Sequence, residues 1–420
     1  FNLTKEKGGF KILSRGGGKQ TKSLTLEDKN GEEWKLRTID KDPGTAIPLP
    51  FRSVSTRRIV QDMISAAHPY APLVVDPLAK AAGVLQATPE IYFVPDDPAF
   101  GYYQKLFANK ICFLEKKDPV PPGINTRSTL KLISHITEDN DHLIDQNAVL
   151  KARLLDFYVG DWDRHMDQWR WAVTDTGKGK LYLPIAKDRD QAFFYSEGAA
   201  MQYATRRLLP FLKGFRYDIP KPNWLGYSAR DFDRIFLNAL NKKKWEENVD
   251  EFIAAMTDSV IEDAVQHLPR EVYPLTGDTL IAKLKSRREV LKRAAMKYHD
   301  FISNEVNILG SNKEEFFDVN GTDTGLNVNV YAREKDGDTS LLVYSRVFDP
   351  KVTEEIRLYG FNGNDRFNLK GKSKINIRMI GGSSFLGNRI PYSLLFWIAI
   401  ALIIFYALRR SGWGRLLYAI

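Results

Sequence analysis

The sequence predicts an α+β chain in four parts: an N-terminal antiparallel sheet, a helical lobe, a small all-β module and an apolar C-terminal helix. Three observations predict it. Alternating apolar strands with glycine turns fill the first forty or so residues. Helical periodicity marks Asn147 to Val159 and dominates from Ala229 to His299. Short strands with Gly, Asn and Asp turns return after Asn304. The expected boundaries are 1–118, 119–303, 304–388 and 389–420.

The N-terminal elements are justified by turn chemistry. Lys11-Ile12-Leu13 precedes Gly16-Gly17-Gly18. Ser23-Leu24-Thr25-Leu26 leads to Asn30-Gly31, and Glu33 to Ile39 alternates apolar and polar residues. Asn-Gly between two alternating runs is a strong hairpin signal. From Thr56 to Ala82 the pattern is helical, with Val60, Met63 and Ile64, then Leu73 and Leu78, divided at Pro69 and Pro72. Glu90 to Val94 and Lys110 to Leu114 read as strands expected to join the same sheet. Asp118 to Gly123 is proline-rich and reads as a hinge. Asn147 to Val159 is an amphipathic helix, and Trp169 to Val173 with Lys180 to Ile185 form a hairpin turned at Gly177 to Gly179. The module after Asn304 reads as a small sandwich or a piece of β-solenoid.

At 420 residues, 43% of them hydrophobic, the chain can bury a core for two or three domains. Its 27% charged residues exclude a disordered composition. The formal net charge of +9 points to phosphates or an anionic surface. Nucleic acid is not expected, because Lys and Arg are dispersed and no zinc-finger or RRM-type motif accompanies them. A single cysteine, Cys112, excludes an internal disulfide framework and any multi-cysteine metal site, and reads as a buried core thiol. The chain opens on Phe1 rather than Met and is expected to be part of a longer one.

Tyr392 to Leu408 carries no charge and is followed by Arg409 and Arg410. As a helix it would span roughly 25 Å, against a hydrocarbon core of about 30 Å. It is therefore expected to be a transmembrane helix through 392–408. The basic residues beyond it place the C-terminus in the cytoplasm and the globular part outside, in the cell envelope.

The chemistry concentrates in Gly160-Asp161-Trp162-Asp163-Arg164-His165-Met166-Asp167-Gln168-Trp169 and, after the hairpin, Pro184-Ile185-Ala186-Lys187-Asp188-Arg189-Asp190-Gln191-Ala192-Phe193. Phosphoryl transfer needs one carboxylate to orient the attacking hydroxyl. It needs a second, with an amide oxygen, to hold Mg²⁺ against nucleotide phosphates. Both loops offer hard oxygen donors and no thiolate.

These residues resemble a known family. Asp163-Arg164-His165, with an amide five positions after the Asp, resembles the catalytic loop of phosphoinositide lipid kinases and their HipA-type relatives. Asp188 to Phe193 resembles the metal-binding loop of secretory-pathway and CotH-type kinases. The order of elements from about Phe10 to Ile302 also resembles theirs. The resemblance implies a two-lobed kinase-like fold and an atypical phosphotransferase using ATP with Mg²⁺ or Mn²⁺ on an unknown phosphate acceptor. It implies Asp163 as the hydroxyl-orienting carboxylate, with Arg164 and His165 as partners of that loop. It implies Asp188 as the main metal ligand and Asp190 as a second. Gln168 stands where the family usually has a metal-binding Asn. Gly16, Gly17 and Gly18 would lie over the phosphates. Arg37 or Lys41 would be the phosphate-pairing cation, the resemblance favouring Lys41 because an Arg is unusual in that role, oriented by Asp62, with Glu115 at the adenine-contacting hinge.

Two other classes stand beside this one: a catalytically inactive kinase-like binding module, and a structural connector in a bacterial cell-envelope protein. More loosely, the chain resembles the middle of large bacterial cell-surface proteins with a phosphoesterase domain upstream and an outer-membrane barrel downstream. Gly360 to Phe367 faintly resembles calcium-binding Gly-Asn-Asp repeats, but a single copy reads as ordinary turns.

Overall fold

Asn30-Gly31 closes the hairpin between the second and third strands, and the N-terminal sheet grows outward from it. The computed structural model describes residues 1–16, 21–40, 66–195, 211–219, 221–322, 325–333 and 339–381. Gly31 takes a φ of 78°, which glycine adopts without steric cost. The Asp28 carboxylate accepts hydrogen bonds from the Asn30 and Glu32 amides at 2.8 and 3.0 Å and from Trp34 Nε1 at 3.1 Å. Strands β1 (Phe10–Gly16), β2 (Ser23–Asp28) and β3 (Glu33–Thr38) are followed by helix α1 (Ala71–Ala81), β4 (Glu90–Val94) and β5 (Lys110–Lys116). They form one antiparallel sheet in the order β1-β2-β3-β5-β4, with Ser23 opposite Arg37 and Leu26 opposite Trp34. The expected hairpin and the two later strands are therefore in place.

Side-chain alternation decides what each face does. Leu24, Leu26, Trp34, Leu36, Cys112 and Leu114 point to one face and close a small core with Phe10, Phe100 and Phe107. Burial there pushes the Cys112 thiol up to about 12, as an inert core cysteine should behave. Lys35, Arg37 and Glu115 point to the opposite face, toward the second lobe.

That lobe begins with β6 (Asn125–Ser128), α2 (Thr129–Glu138), β7 (His142–Ile144), α3 (Gln146–Val159), β8 (Trp169–Asp175) and β9 (Lys180–Ala186). The strands form a four-stranded sheet, β6-β8-β9-β7. Helices α4 (Arg230–Phe236), α5 (Lys242–Ala255), α6 (Asp258–Gln266) and α7 (Tyr273–Ser303) complete it around α3. Helix α1 also contributes Val74, Val75 and Leu78 to this core. Close packing is marked at Gly226, where an added Cβ would lie 2.4 Å from Cε2 of the buried Tyr298. Gly226→Ala is expected to cost about 1–3 kcal/mol in urea denaturation, because the ring has nowhere to move.

The third part holds β10 (Glu305–Leu309), β11 (Glu315–Thr322), β12 (Gly325–Arg333), β13 (Thr339–Phe348), β14 (Glu355–Phe361), β15 (Arg366–Lys370) and β16 (Asn376–Gly381). Strands β10, β14 and β16 stack in parallel, and β15 stacks in parallel on β11. This is solenoid-type stacking, which resolves the choice the sequence leaves open. Val306, Ile356 and Ile377 form one column through the stack. The strands carry an internal repeat: Glu305-Val306-Asn307-Ile308-Leu309-Gly310, Glu355-Ile356-Arg357-Leu358-Tyr359-Gly360 and Asn376-Ile377-Arg378-Met379-Ile380-Gly381. The hairpin β12–β13, inserted between the first two copies, makes the spacing unequal and hides the repeat.

The membrane expectation requires correction. Among the described residues no helix is long and apolar enough to cross a membrane. The longest, α7, carries Lys283, Lys285, Arg287, Arg288 and Lys292 along its length, which a hydrocarbon core would not accept. Tyr392 to Leu408 lies outside the described residues, and a membrane-anchored, extracytoplasmic location is not upheld. Gly17, Gly18, Lys41 and Asp62 also lie outside them.

Candidate active site

The two motif loops owe their shape to helix α3 and to the β8–β9 hairpin. Helix α3 stops at Gly160, whose φ of 72° turns the chain into Asp161 to Gln168. The hairpin then returns the chain so that Lys187 N donates to Gln168 O at 3.0 Å. Asp188 follows in the left-handed region at φ 59°, uncommon outside glycine and more readily taken by Asp than by most residues.

Beneath both loops lies a buried ion network. Arg153 Nε donates to Asp233 at 2.9 Å, and its Nη1 donates to Asp156. Arg189 donates to the other oxygen of Asp156, and Arg164 Nε lies 3.3 Å from Oδ2, the oxygen that Arg153 meets. Arg164 also donates to the Lys187 carbonyl at 2.5 Å, tying the first loop to the second. None of these side chains is more than 4% exposed.

Asp161 belongs to the same network. Its Oδ1 accepts from the Asp163 amide at 3.3 Å, and its Oδ2 lies 3.6 Å from Arg189. Burial pushes the Asp161 carboxyl up to about 7; Arg164 opposes this, while Asp190 and Asp163 add to it. Because the folded pKa lies above the unfolded value, the native state holds an extra proton between pH ~4 and ~7. Stability from this group is therefore full below that window and is lost as pH rises through it, by on the order of 4 kcal/mol. Asp161→Asn is expected to flatten that part of a stability-against-pH curve measured by urea denaturation. An unchanged slope would show that Asp161 is already ionised in the native state.

Above the network, Lys35, Arg37, Glu115, Gln168, Lys187 and Asp188 line one cleft of about 310 Å³ between the lobes, with Thr21, Ser23 and Asp167. Arg37 donates through Nη2 to Glu115 Oε1 at 2.9 Å and through Nη1 to Asp188. Burial disfavours its charge, but Asp188, Glu115 and Asp190 outweigh that and hold Arg37 above its ordinary range. Burial lowers Lys35, with Arg37 adding to the effect, and brings Lys187 down to about 8 with help from Lys35 and Arg170. Asp190 lines an adjoining cavity of about 410 Å³ together with Arg37.

Asp163 sits at the edge of this group. Burial raises its carboxyl, His165 opposes the shift, and the charges of Asp190 and Asp188 raise it further. The carboxylates of the two loops therefore act on one another, which chain order alone does not require. His165 Nε2 lies 3.9 Å from Asp163 and 3.5 Å from the Gln168 side-chain amide. Gly16 ends β1 opposite Ser23. Among the described residues no group of three or more His, Cys, Asp or Glu is gathered as a metal cage. The hard oxygen groups at these two cavities include the Asp188 and Asp190 carboxylates and the Gln168 amide, the donor types a hard divalent ion takes.

Sequence reasoning missed Lys35, Lys187 and the Arg153–Asp156–Asp233 network. The first two had signals: Lys35 shares the strand face of Arg37, and Lys187 immediately precedes Asp188. Arg153 and Asp156, spaced i,i+3, interrupt the apolar texture of α3, the mark of a buried charge pair.

No protein-family model matches the chain, and no curated protein matches it in sequence. Solved structures do align with it. The proinflammatory kinase CtkA of Helicobacter pylori aligns at 13% identity and a TM-score of 0.38, over 66% of this chain and 95% of that one. HipA of Shewanella oneidensis, in complex with HipB and operator DNA, aligns at 9% identity and a TM-score of 0.34, over 68% and 67%. The Rio2 kinase of Chaetomium thermophilum, in its ADP/Mg²⁺-phosphoaspartate complex, aligns at 12% identity and a TM-score of 0.31, over 66% and 72%. The chain itself shows an antiparallel sheet lobe and a helical lobe, with both motif loops lining the cleft between them.

Proposed function

We propose that the chain is an atypical kinase-like phosphotransferase. It binds a nucleoside triphosphate in the cleft around Arg37 and Asp188 and transfers the terminal phosphoryl group to a hydroxyl acceptor. One observation carries this reading: Arg37, Glu115, Gln168 and Asp188, from four separate segments, converge on one cleft between the lobes. A kinase-like fold does not itself imply catalysis, so the argument rests on these side chains.

Asp163 orients the acceptor hydroxyl and takes its proton as the oxygen attacks phosphorus. A carboxyl raised by burial is better matched to that task than an exposed one. Arg164 holds the loop to Lys187 rather than touching substrate. Arg37 neutralises phosphate charge from the sheet side. Bound Mg²⁺ or Mn²⁺ supplies charge neutralisation on the phosphates, and Asp188, Asp190 and Gln168 are the residues to hold it.

The test is a thermal-shift series with ATP, ADP and GTP, with and without Mg²⁺ or Mn²⁺, followed by a phosphate-release assay. A ligand at a hundredfold excess over Kd adds about 2.7 kcal/mol to stability. No nucleotide shift under any condition sinks the reading. Binding without turnover favours the inactive binding module, a reading that the Gln168–His165 contact and the Arg37–Asp188 pair both support.

A further inference from the structure

We propose that Lys35, Arg37 and Lys187 together form a polyphosphate cradle that binds its anion without a divalent ion, so that metal serves transfer and not binding. The identity of the polyphosphate as a nucleotide's rests on the reading above; the cradle does not.

The argument starts from strand parity. Lys35 and Arg37 are two residues apart on β3 and so share the face turned to the helical lobe. Lys187 reaches the same cleft from the opposite wall, at the end of the β8–β9 hairpin. Three cations thus converge from two lobes on a space of about 310 Å³, within the ~300–1,000 Å³ range of small-molecule sites.

Partner accounting separates the three. Arg37 is satisfied by Glu115 and Asp188. Neither the Lys35 nor the Lys187 ammonium has a hydrogen bond or ion pair with any described residue, and both groups line the cleft. The remaining cleft carboxylate, Asp167, is 87% exposed and turned to solvent. Lys35 and Lys187 repel one another while partly desolvated, and the Glu115 and Asp188 carboxylates that oppose this are already engaged by Arg37, so an arriving anion is favoured. The Thr21 and Ser23 hydroxyls at the same cleft add uncharged donors of the kind phosphate oxygens accept.

The Arg37–Asp188 pair explains why metal is not the anchor. An incoming phosphate would be repelled by a free Asp188 carboxylate. The Arg37 guanidinium, shared with Glu115, offsets part of that charge, and Lys35 and Lys187 face the anion. A divalent ion at Asp188 must compete with Arg37, so its entry follows or accompanies phosphate binding.

The experiment is isothermal titration of the full chain with sodium tripolyphosphate and, separately, with ATP, each in EDTA and in Mg²⁺. Both ligands are expected to bind in EDTA. Lys35→Met and Lys187→Met are each expected to weaken binding by about tenfold, and the pair by about a hundredfold. Lys244→Met, on the exposed face of α5, should change nothing. Parent-like thermal midpoints certify that the variants fold, and Asp188→Asn, which frees Arg37, should bind tripolyphosphate in EDTA at least as tightly as the parent. Binding of ATP only with Mg²⁺ overturns the cradle and leaves the nucleotide reading standing. Tripolyphosphate binding in EDTA with no ATP binding anywhere supports the cradle and removes the nucleotide. Binding of neither overturns both, and lysine variants equal to the parent overturn the cradle.

Discussion

Asp163→Ala is expected to leave nucleotide binding close to that of the parent and to lower phosphoryl transfer by about 10²- to 10⁴-fold. The expectation follows from where Asp163 sits. It is absent from the residues that line the phosphate cleft, yet its carboxyl responds to the charges of Asp188 and Asp190. On the proposed reading, a group so placed acts on the acceptor hydroxyl more than on the nucleotide. Asp188→Ala has a different signature. On the proposed reading it removes the metal-dependent increment in nucleotide affinity and abolishes transfer, because the carboxylate paired with Arg37 is also the proposed main metal donor. Single-turnover transfer and titration calorimetry separate the two. Equal losses of binding in both variants would mean that the loops do not divide these roles. A transfer rate in Asp163→Ala within a few-fold of the parent would remove Asp163 from the chemistry.

The second large effect is structural. Asp156→Ala is expected to cost about 3–5 kcal/mol, the scale for breaking a buried ion pair and stranding its partner. Here one carboxylate faces three guanidiniums, from Arg153, Arg164 and Arg189, at 1% exposure. Removing it leaves buried positive charge around Asp161 and Asp233, directly below both motif loops. Asp156→Asn keeps the shape and part of the hydrogen bonding and should cost less. Breaking the exposed Lys244–Glu247 pair, by contrast, should cost no more than about 1 kcal/mol. Urea denaturation measures all three. A loss below about 1 kcal/mol for Asp156→Ala would show that the network is not what holds the loops.

Both effects depend on residues of very different legibility. Asp163 and Asp188 stood out because acidic clusters on loops are rare enough to read, and because their order along the chain resembles a known family. Asp156 did not stand out. Apart from Arg153, it lies among apolar residues on the buried side of its helix, where polarity rules expect a charge to face water. The same reason hid Lys35. In an alternating strand it reads as an ordinary outward residue, and nothing local says that the outward face of β3 is covered by a second lobe.

The sequence by itself determined the elements with short-range causes. Asn30-Gly31 specifies the β2–β3 hairpin, with Gly31 in left-handed backbone that few other residues accept. Gly160 specifies where α3 ends. The alternation of Trp34, Leu36 and Thr38 with Lys35 and Arg37 sorts the two faces of β3. Only the tertiary structure showed that Arg37 meets Asp188, while Lys41 lies outside the described residues. Spacing left Arg37 and Lys41 open, and the contact of Arg37 with Asp188 joins residues 151 positions apart. Only the tertiary structure, too, showed β10, β14 and β16 stacked in parallel, since each strand's own pattern is equally compatible with a sandwich. The physical reason is the same in both cases. Backbone conformation and periodicity are set by neighbours in sequence, whereas charge pairing and strand partnership are set by burial, which depends on the whole chain being packed.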